Sequence, residues 1–298
     1  MNTKPIILVT GATGAQGSSV ARALLAQEKF TVRCLTRDIT SDKAQVLKEL
    51  GATLVAGDLA DKASLLPAME DCYAVFGVTS FWEHFEEENQ HGKNLVDAVK
   101  QSGIRHFIFS TLPSYYELSS GAYSVPHCDG KAALEQYCRS LGIPATFIHM
   151  AFYYENFINF FPPQKKEDGN YHFGFPQGNT PLSMVSAEDL GVIIAAILDH
   201  PAEYIGRTVG VVGEDKPCDA YAEIMTRVLG QQVCYDHIPY EVFSELGFPG
   251  DKELAGMFEV QRLHIPGRRN ALIESYRLHP KMQGFEDWLA SHKDQIKL

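Results

Sequence analysis

No apolar stretch in the 298-residue chain approaches bilayer-spanning length, so a membrane-spanning helix is not expected. Basic charge is in deficit: 26 Lys and Arg against 37 Asp and Glu give a net charge of −11. Direct nucleic-acid binding is disfavoured, because it needs a basic face that this balance does not suggest. The six cysteines (Cys34, Cys72, Cys128, Cys138, Cys218, Cys234) include no C-x-x-C pair and no metal-finger spacing, and read as reduced thiols of an intracellular protein. Internal repeats, low-complexity tracts and charge blocks are also missing. The N-terminus enters a strand pattern without a cationic flank and apolar signal core, so a soluble, cytoplasmic chain is expected, with the nucleus also open to a protein of this size.

What is present begins at residues 6–17, IILVTGATGAQG, an apolar run ending in Gly11, Gly14 and Gly17. A buried strand (Ile6 to Val9) stops at a tight turn at Gly11. Gly14 lets the backbone approach a pyrophosphate, and Gly17 lets the next helix (Ser18 to Gln27) pack on the sheet. The helix N-terminus offers N–H groups and a positive dipole end to an anion. A glycine triplet between a strand and a helix pattern points to a dinucleotide.

The second strand (Thr31 to Leu35) leads to Thr36, Arg37 and Asp38. An acidic residue about 20 positions past the glycines binds a ribose 2′-OH, whereas a 2′-phosphate calls for arginine. Arg37 stands at that distance from Gly17 and its planar fork suits a phosphate. NADP is therefore favoured, with Asp38 leaving NAD open. A helix (Ser41 to Leu50) and a third strand (Thr53 to Ala56) follow. Asp58 then reads equally as an adenine contact at the strand's carboxyl end or as a helix N-cap. The fourth strand (Tyr73 to Val78) ends at Thr79, Ser80, Phe81 and Trp82, expected to line the nicotinamide half of the groove. A helix from about Glu86 to Ser102 opens with Glu86, Glu87 and Glu88, read as a solvated helix start. His84, Glu88 and His91 have helical spacing, but a polar face explains it better than a metal site, and no metal is expected.

The fifth strand (His106 to Phe109) ends at Ser110 and Thr111. Lys131 opens a helix to about Ser140 and is expected to contact the nicotinamide ribose. Four residues before it, where short-chain dehydrogenases carry a proton-donating tyrosine, stands His127. A histidine can act as an acid near neutral pH without reproducing a phenol's geometry; a polar surface or pocket-rim role is preferred over a catalytic acid.

After the sixth strand (Ala145 to Met150), the aromatics of AFYYENFINFFPP suit an apolar pocket wall, a core, or both. Residues 164–182 read as a hairpin or loop, and Ser186 with Asp189 resembles a capping box before an apolar helix to about His200. The remainder is expected as strand (Thr208 to Val212), helix (Ala220 to Leu229), strand (Val233 to Ile238) and helices near Tyr240, Lys252 and Phe285, punctuated by Pro217, Pro239, Pro249, Pro266 and Pro280; residues 267–270 read as a solvated basic spot. Strand–helix alternation over the first 150 residues specifies an α/β fold with a doubly wound parallel sheet. The expected division is a Rossmann domain at 1–152 and a smaller C-terminal α/β domain at 153–298, with segments returning to the main sheet.

GATGAQG, Arg37, GDL at 57–59, TSFWE at 79–83, HCDGK at 127–131, YYEN at 153–156 and ELGFPG at 245–250 together resemble the NmrA-like family, an atypical branch of the short-chain dehydrogenase/reductase superfamily. The match runs over nearly the whole chain and is nearest to the family's animal NADPH-sensor branch. The resemblance implies NADP(H) contacts at Gly11, Ala12, Thr13, Gly14, Ala15, Gln16, Gly17, Arg37, Asp58, Leu59, Thr79, Ser80, Phe81, Lys131, Tyr153, Tyr154, Glu155 and Asn156. Leu59 stands where the family often has a polar residue, which argues against a side-chain contact there. The sensor branch lacks the catalytic tyrosine, in line with His127. The function implied is redox sensing, including transcriptional regulation, through protein partners of unknown identity, with a homodimer plausible. The alternative is an NADPH-dependent oxidoreductase acting on quinone- or enone-like molecules in an apolar pocket, with Lys131 or His127 as catalytic candidates.

Overall fold

The computed structural model describes residues 4–265 and 267–298; Pro266, one of the expected breaks, lies outside them. From the N-terminus, β1 (Ile6–Val9), α1 (Ala15–Gln27), β2 (Thr31–Thr36), α2 (Asp42–Glu49), β3 (Thr53–Ala56), α3 (Lys62–Ala68) and β4 (Cys72–Gly77) alternate as the apolar periodicity requires. Asp61 caps α3, its carboxylate accepting the Ala63 N–H. Asp58 is therefore not the N-cap; it accepts the Ala60 N–H at 2.9 Å and shapes the turn ahead.

Next come α4 (Phe81–His84), a 3-10 turn at Phe85–Glu87 and α5 (Glu88–Gln101). Phe85, with φ of 40°, breaks the helical path between His84 and Glu88; the His84 and His91 rings still meet at 4.6 Å, while Glu88 turns to Lys131 and Thr79. Among the described residues no group of three His, Cys, Asp or Glu side chains could hold a metal ion. β5 (His106–Thr111) and α6 (Tyr115–Leu118) lead to α7 (Pro126–Ser140) and β6 (Ala145–Met150). The helix expected to open at Lys131 begins at Pro126, a residue favoured in a first turn because its missing N–H has no partner to lose there. The Asp129 carboxylate also turns back to accept the Val125 N–H at 2.7 Å. His127 and Lys131 consequently lie one turn apart on one helix.

The chain continues through β7 (Phe152–Tyr153), α8 (Asn156–Asn159), β8 (Gln164–Lys165), β9 (Tyr171–Phe175), β10 (Leu182–Val185), α9 (Leu190–Asp199), α10 (Pro201–Tyr204), β11 (Thr208–Val211) and β12 (Glu214–Lys216). It ends with α11 (Cys218–Leu229), β13 (Val233–His237), α12 (Tyr240–Phe243), α13 (Asp251–His264), α14 (Arg269–Leu278) and α15 (Phe285–His292). α14 was not foreseen: its first residues, Arg269 and Asn270, belong to the segment read as a solvated basic spot. No helix among the described residues is long and apolar enough to cross a membrane.

Two compact units share the chain. The first comprises Met1–Leu112, Gly130–His149 and Glu188–Val209. It holds most of a seven-stranded sheet of order β11-β6-β5-β4-β1-β2-β3, in which β1 pairs in parallel with both β2 and β4. The strand order reverses between β1 and β4, and the crevice outside the carboxyl ends at such a switch point is where ligands bind in open α/β sheets. Leu8, Val75, Leu95, Phe107, Phe109 and Phe147 form part of its buried core. α1 approaches α9 so closely that a Cβ on Gly191 would fall 2.2 Å from the Ser19 carbonyl oxygen; Ser19 Oγ donates to the Glu188 carbonyl at 2.6 Å and accepts the Gly191 N–H at 2.9 Å.

The second unit comprises Pro113–Asp129, Met150–Ala187 and Gly210–Leu298, with two three-stranded sheets, β12-β10-β7 and β13-β9-β8. Its core is aromatic. Phe175 stacks on Phe258 with ring centroids 4.4 Å apart, and Tyr154 packs on Phe285 and Trp288 at 5.2 and 5.5 Å. The aromatic run after β6 thus supplies core to this unit, which explains why so many rings follow one another in a segment with little regular structure.

Candidate dinucleotide site

The glycine turn has the geometry that the spacing requires. Gly11 has φ of 57°, a left-handed conformation that costs glycine little, and its carbonyl accepts the Gly14 N–H at 2.9 Å. A Cβ on Gly17 would stand 2.1 Å from the Gly11 oxygen and 2.8 Å from that of Thr10. Only glycine lets α1 start this close to the strand end. Gly14 is the N-cap, no side chain caps the helix, and its first turn contains no acid. The positive end of the dipole is therefore not neutralised by a carboxylate of its own turn, which fits an anionic diphosphate. Gly14 and Ala15 are exposed, Thr13 and Gln16 half-buried, and Ala12 buried. Thr10 Oγ1 accepts the Val78 N–H at 3.0 Å, tying the carboxyl ends of β1 and β4 together.

Arg37, just past β2, is exposed, and its Nη2 meets Glu83 Oε2 at 3.2 Å. Asp38 turns elsewhere: its Oδ1 accepts the Thr40 N–H at 2.8 Å and hydroxyl at 2.6 Å. These hydrogen bonds, that from the Thr40 hydroxyl first, lower its pKa. The carboxylate that had left NAD open is thus engaged in its own turn. Leu59 packs against the apolar core, while its carbonyl accepts a hydrogen bond from Asn94 at 2.9 Å.

Lys131 is largely buried. Its ammonium donates to the Thr79 carbonyl at 3.1 Å, to Thr79 Oγ1 at 2.8 Å and, by a very short contact, to Glu88 Oε1. An ammonium has three donors, and all three have partners here. Thr79 Oγ1 in turn donates to Glu88 Oε1 at 2.7 Å. Glu88, read as part of a solvated helix start, is only 2% exposed at its side chain. The helical period held that signal, since Glu88 falls on the face of α5 that buries Gly92, Leu95 and Val99. Ser80 precedes α4, and Phe81 meets Trp82 and Phe85 edge to face at 5.2 and 5.5 Å.

His127 is not a surface residue. Its side chain is 9% exposed and its Nδ1 lies 2.6 Å from Glu253 Oε1, a partner 126 positions along the chain that no local pattern reveals. A second cluster was also missed. Glu135 Oε2 accepts Thr111 Oγ1 at 2.8 Å and faces His149 Nε2 at 2.9 Å, while its Oε1 takes Arg139 at 2.9 Å. Burial opposes the Glu135 charge, but the hydrogen bonds and charge of His149, with Thr111 and Arg139, outweigh it and bring its pKa to about 2.

The first unit therefore brings the glycine turn, Arg37, Asp58, Leu59, Thr79, Ser80, Phe81 and Lys131 into one parallel-sheet scaffold. Tyr153, Tyr154, Glu155 and Asn156 lie in the second unit. There the Tyr154 side chain is fully buried, and Glu155 Oε1 accepts the Ser186 hydroxyl at 2.8 Å and the Ala187 N–H at 3.0 Å.

The sequence profile of the NmrA-like family matches residues 3–289. An NmrA-like family domain-containing protein of Dictyostelium discoideum is 30% identical over 95% of this chain and 96% of its own length. An NmrA-like family domain-containing oxidoreductase of Penicillium ochrochloron is 30% identical over 86% of this chain and 83% of its own. Among solved structures, NmrA, a negative transcriptional regulator crystallised with NADP, superposes with a TM-score of 0.83 at 25% identity, covering 97% of this chain and 95% of that one; NmrA has also been crystallised with NAD.

Proposed function

The chain belongs to the NmrA-like family, and on that premise we propose that it is an NADP(H)-binding regulatory protein, a redox sensor acting through protein partners rather than on nucleic acid directly. One observation carries this reading: an intact dinucleotide turn lies in the same fold as a helix on which the proton-donating tyrosine is replaced by His127, buried and held by Glu253. The residues present fit the cofactor. The uncapped start of α1 would hold the diphosphate, Arg37 the 2′-phosphate, and Thr79 with Lys131 the nicotinamide side, a ribose hydroxyl taking the place of one of the three acceptors the Lys131 ammonium has within the protein. Bound NADPH would bring a transferable hydride; the chain's residues bind and orient it. The turning of Asp38 toward Thr40 supports NADP(H) over NAD(H). NmrA, 25% identical, is itself a regulator seen with NADP.

Sensing requires conformers or assemblies that differ in cofactor affinity, since a ligand shifts an equilibrium only by that difference. Isothermal titration and light scattering with NADPH, NADP+, NADH and NAD+ test it. Tighter NADP(H) binding with a change in mass or hydrodynamic radius is expected, including formation or loss of a homodimer; equal behaviour toward all four, or no response, overturns it.

A second reading draws on the same His127–Glu253 pair. A carboxylate that orients an imidazole makes a proton-relay pair, so His127 and Glu253 also suit an NADPH-dependent reductase of quinone- or enone-like molecules; a relative 30% identical is named an oxidoreductase. NADPH absorbance followed against a quinone panel tests it. Turnover lost in His127→Ala supports the reductase, and turnover at background, or undiminished in both His127→Ala and Lys131→Ala, refutes it.

A further inference from the structure

We propose that Glu83 weakens binding of NADP(H) relative to NAD(H) by competing with the 2′-phosphate for Arg37. The proposal rests on the cofactor reading above. Strands β2 and β4 flank β1 in the sheet, so Arg37, after β2, and Glu83, in α4 after β4, come from the loops on either side of the glycine turn. Their contact is single, Nη2 to Oε2 at 3.2 Å, and both side chains are 59% exposed.

The carboxylate next in sequence does not share this role. Asp38 is directed at Thr40, which leaves Glu83 as the acid facing the guanidinium. A phosphate and a carboxylate on one guanidinium repel each other and share its donors, so Glu83 weakens the grip of Arg37 on a 2′-phosphate. A 2′-hydroxyl carries no charge and has no such competitor to remove. The discrimination that arginine provides is thereby reduced, which raises the cofactor concentration at which the site fills. Exposed ion pairs contribute little, so the expected effect is about two- to five-fold. His84 Nε2 lies 3.8 Å from the same Glu83 oxygen, farther than Arg37 Nη2 at 3.2 Å, so Arg37 is the nearer basic group that Glu83 faces.

The test compares NADP+ and NAD+ dissociation constants of the full chain and of Glu83→Gln by isothermal titration at pH 8 and low salt. NADP+ binding tightened about two- to five-fold with NAD+ binding unchanged supports the proposal, and the gain shrinks as salt screens the pair. An equal change for both cofactors, no change, or weaker NADP+ binding overturns it. Failure of the unsubstituted chain to bind NADP+ at all would instead overturn the cofactor reading beneath it. Thermal unfolding of Glu83→Gln shows separately that the variant is folded.

Discussion

Glu253 Oε1 accepts two hydrogen bonds from His127, one from the main-chain N–H at 2.5 Å and one from ring Nδ1 at 2.6 Å. An ionised carboxylate only accepts, and beside one the imidazole presents its proton on Nδ1. One carboxylate oxygen thus fixes both the first turn of α7 and the ring's orientation, which a free surface histidine would not need.

Removing that carboxylate leaves two nearly buried donors without their acceptor. Glu253→Ala is expected to cost about 2–3 kcal/mol of folding stability, in the range of hydrogen bonds to charged groups. Urea denaturation at neutral pH measures it; a loss below about 0.5 kcal/mol would show that water replaces the contact.

Lys131 and Glu88 form a pair in which each side chain neutralises the other away from solvent. Lys131→Met alone strands a buried carboxylate and is expected to lose about 3–5 kcal/mol. Adding Glu88→Gln removes the stranded charge and should recover at least half of that loss. A double variant no more stable than Lys131→Met would show the two side chains to be uncoupled.

Glu135 links folding to acid. Its pKa falls from 4.5 to about 2 in the fold, so its contribution to stability is present above the unfolded value and is lost as pH drops through the folded one. Stability should decline between about pH 5 and pH 2, with a share on the order of 2–3 kcal/mol from this carboxylate. Glu135→Gln should flatten that limb of a urea-midpoint profile against pH; an unchanged slope would assign the acid sensitivity to other carboxylates.

Gly17 and Gly14 separate turn geometry from mere glycine content. Gly17→Ala drives a methyl into main-chain atoms 2.1–2.8 Å away, whereas Gly14→Ala meets one carbonyl oxygen at 3.3 Å. Gly17→Ala is expected to abolish NADP+ binding measured by titration and to lower stability by more than about 2 kcal/mol, overpacking against backbone being poorly relieved. Gly14→Ala should fold with less than about 1 kcal/mol lost.

Local pattern carried much of the first unit. The apolar run from Ile6 and the spacing of Gly11, Gly14 and Gly17 located the turn, and the strand–helix alternation located the parallel sheet, because backbone conformation and side-chain periodicity are properties of neighbouring residues. It also placed Arg37 at the end of β2. Where the reading failed, a local rule was overruled by a distant partner or a competing cap. Asp61 displaced Asp58 as N-cap, and Pro126 started α7 ahead of Lys131.

The chain's residues by themselves determined the fold class, the glycine cradle and the family, since each depends on short-range geometry or on motif order along one strand of sequence. Tertiary structure alone decided what the charged groups do. Glu88 reads as a helix-start acid until Lys131 is seen against it, His127 as a polar surface residue until Glu253 arrives from 126 positions away, and Arg37 as an open phosphate ligand until Glu83 is found beside it. The reason is physical: the state of a charge is set by whatever folding brings within a few ångströms of it.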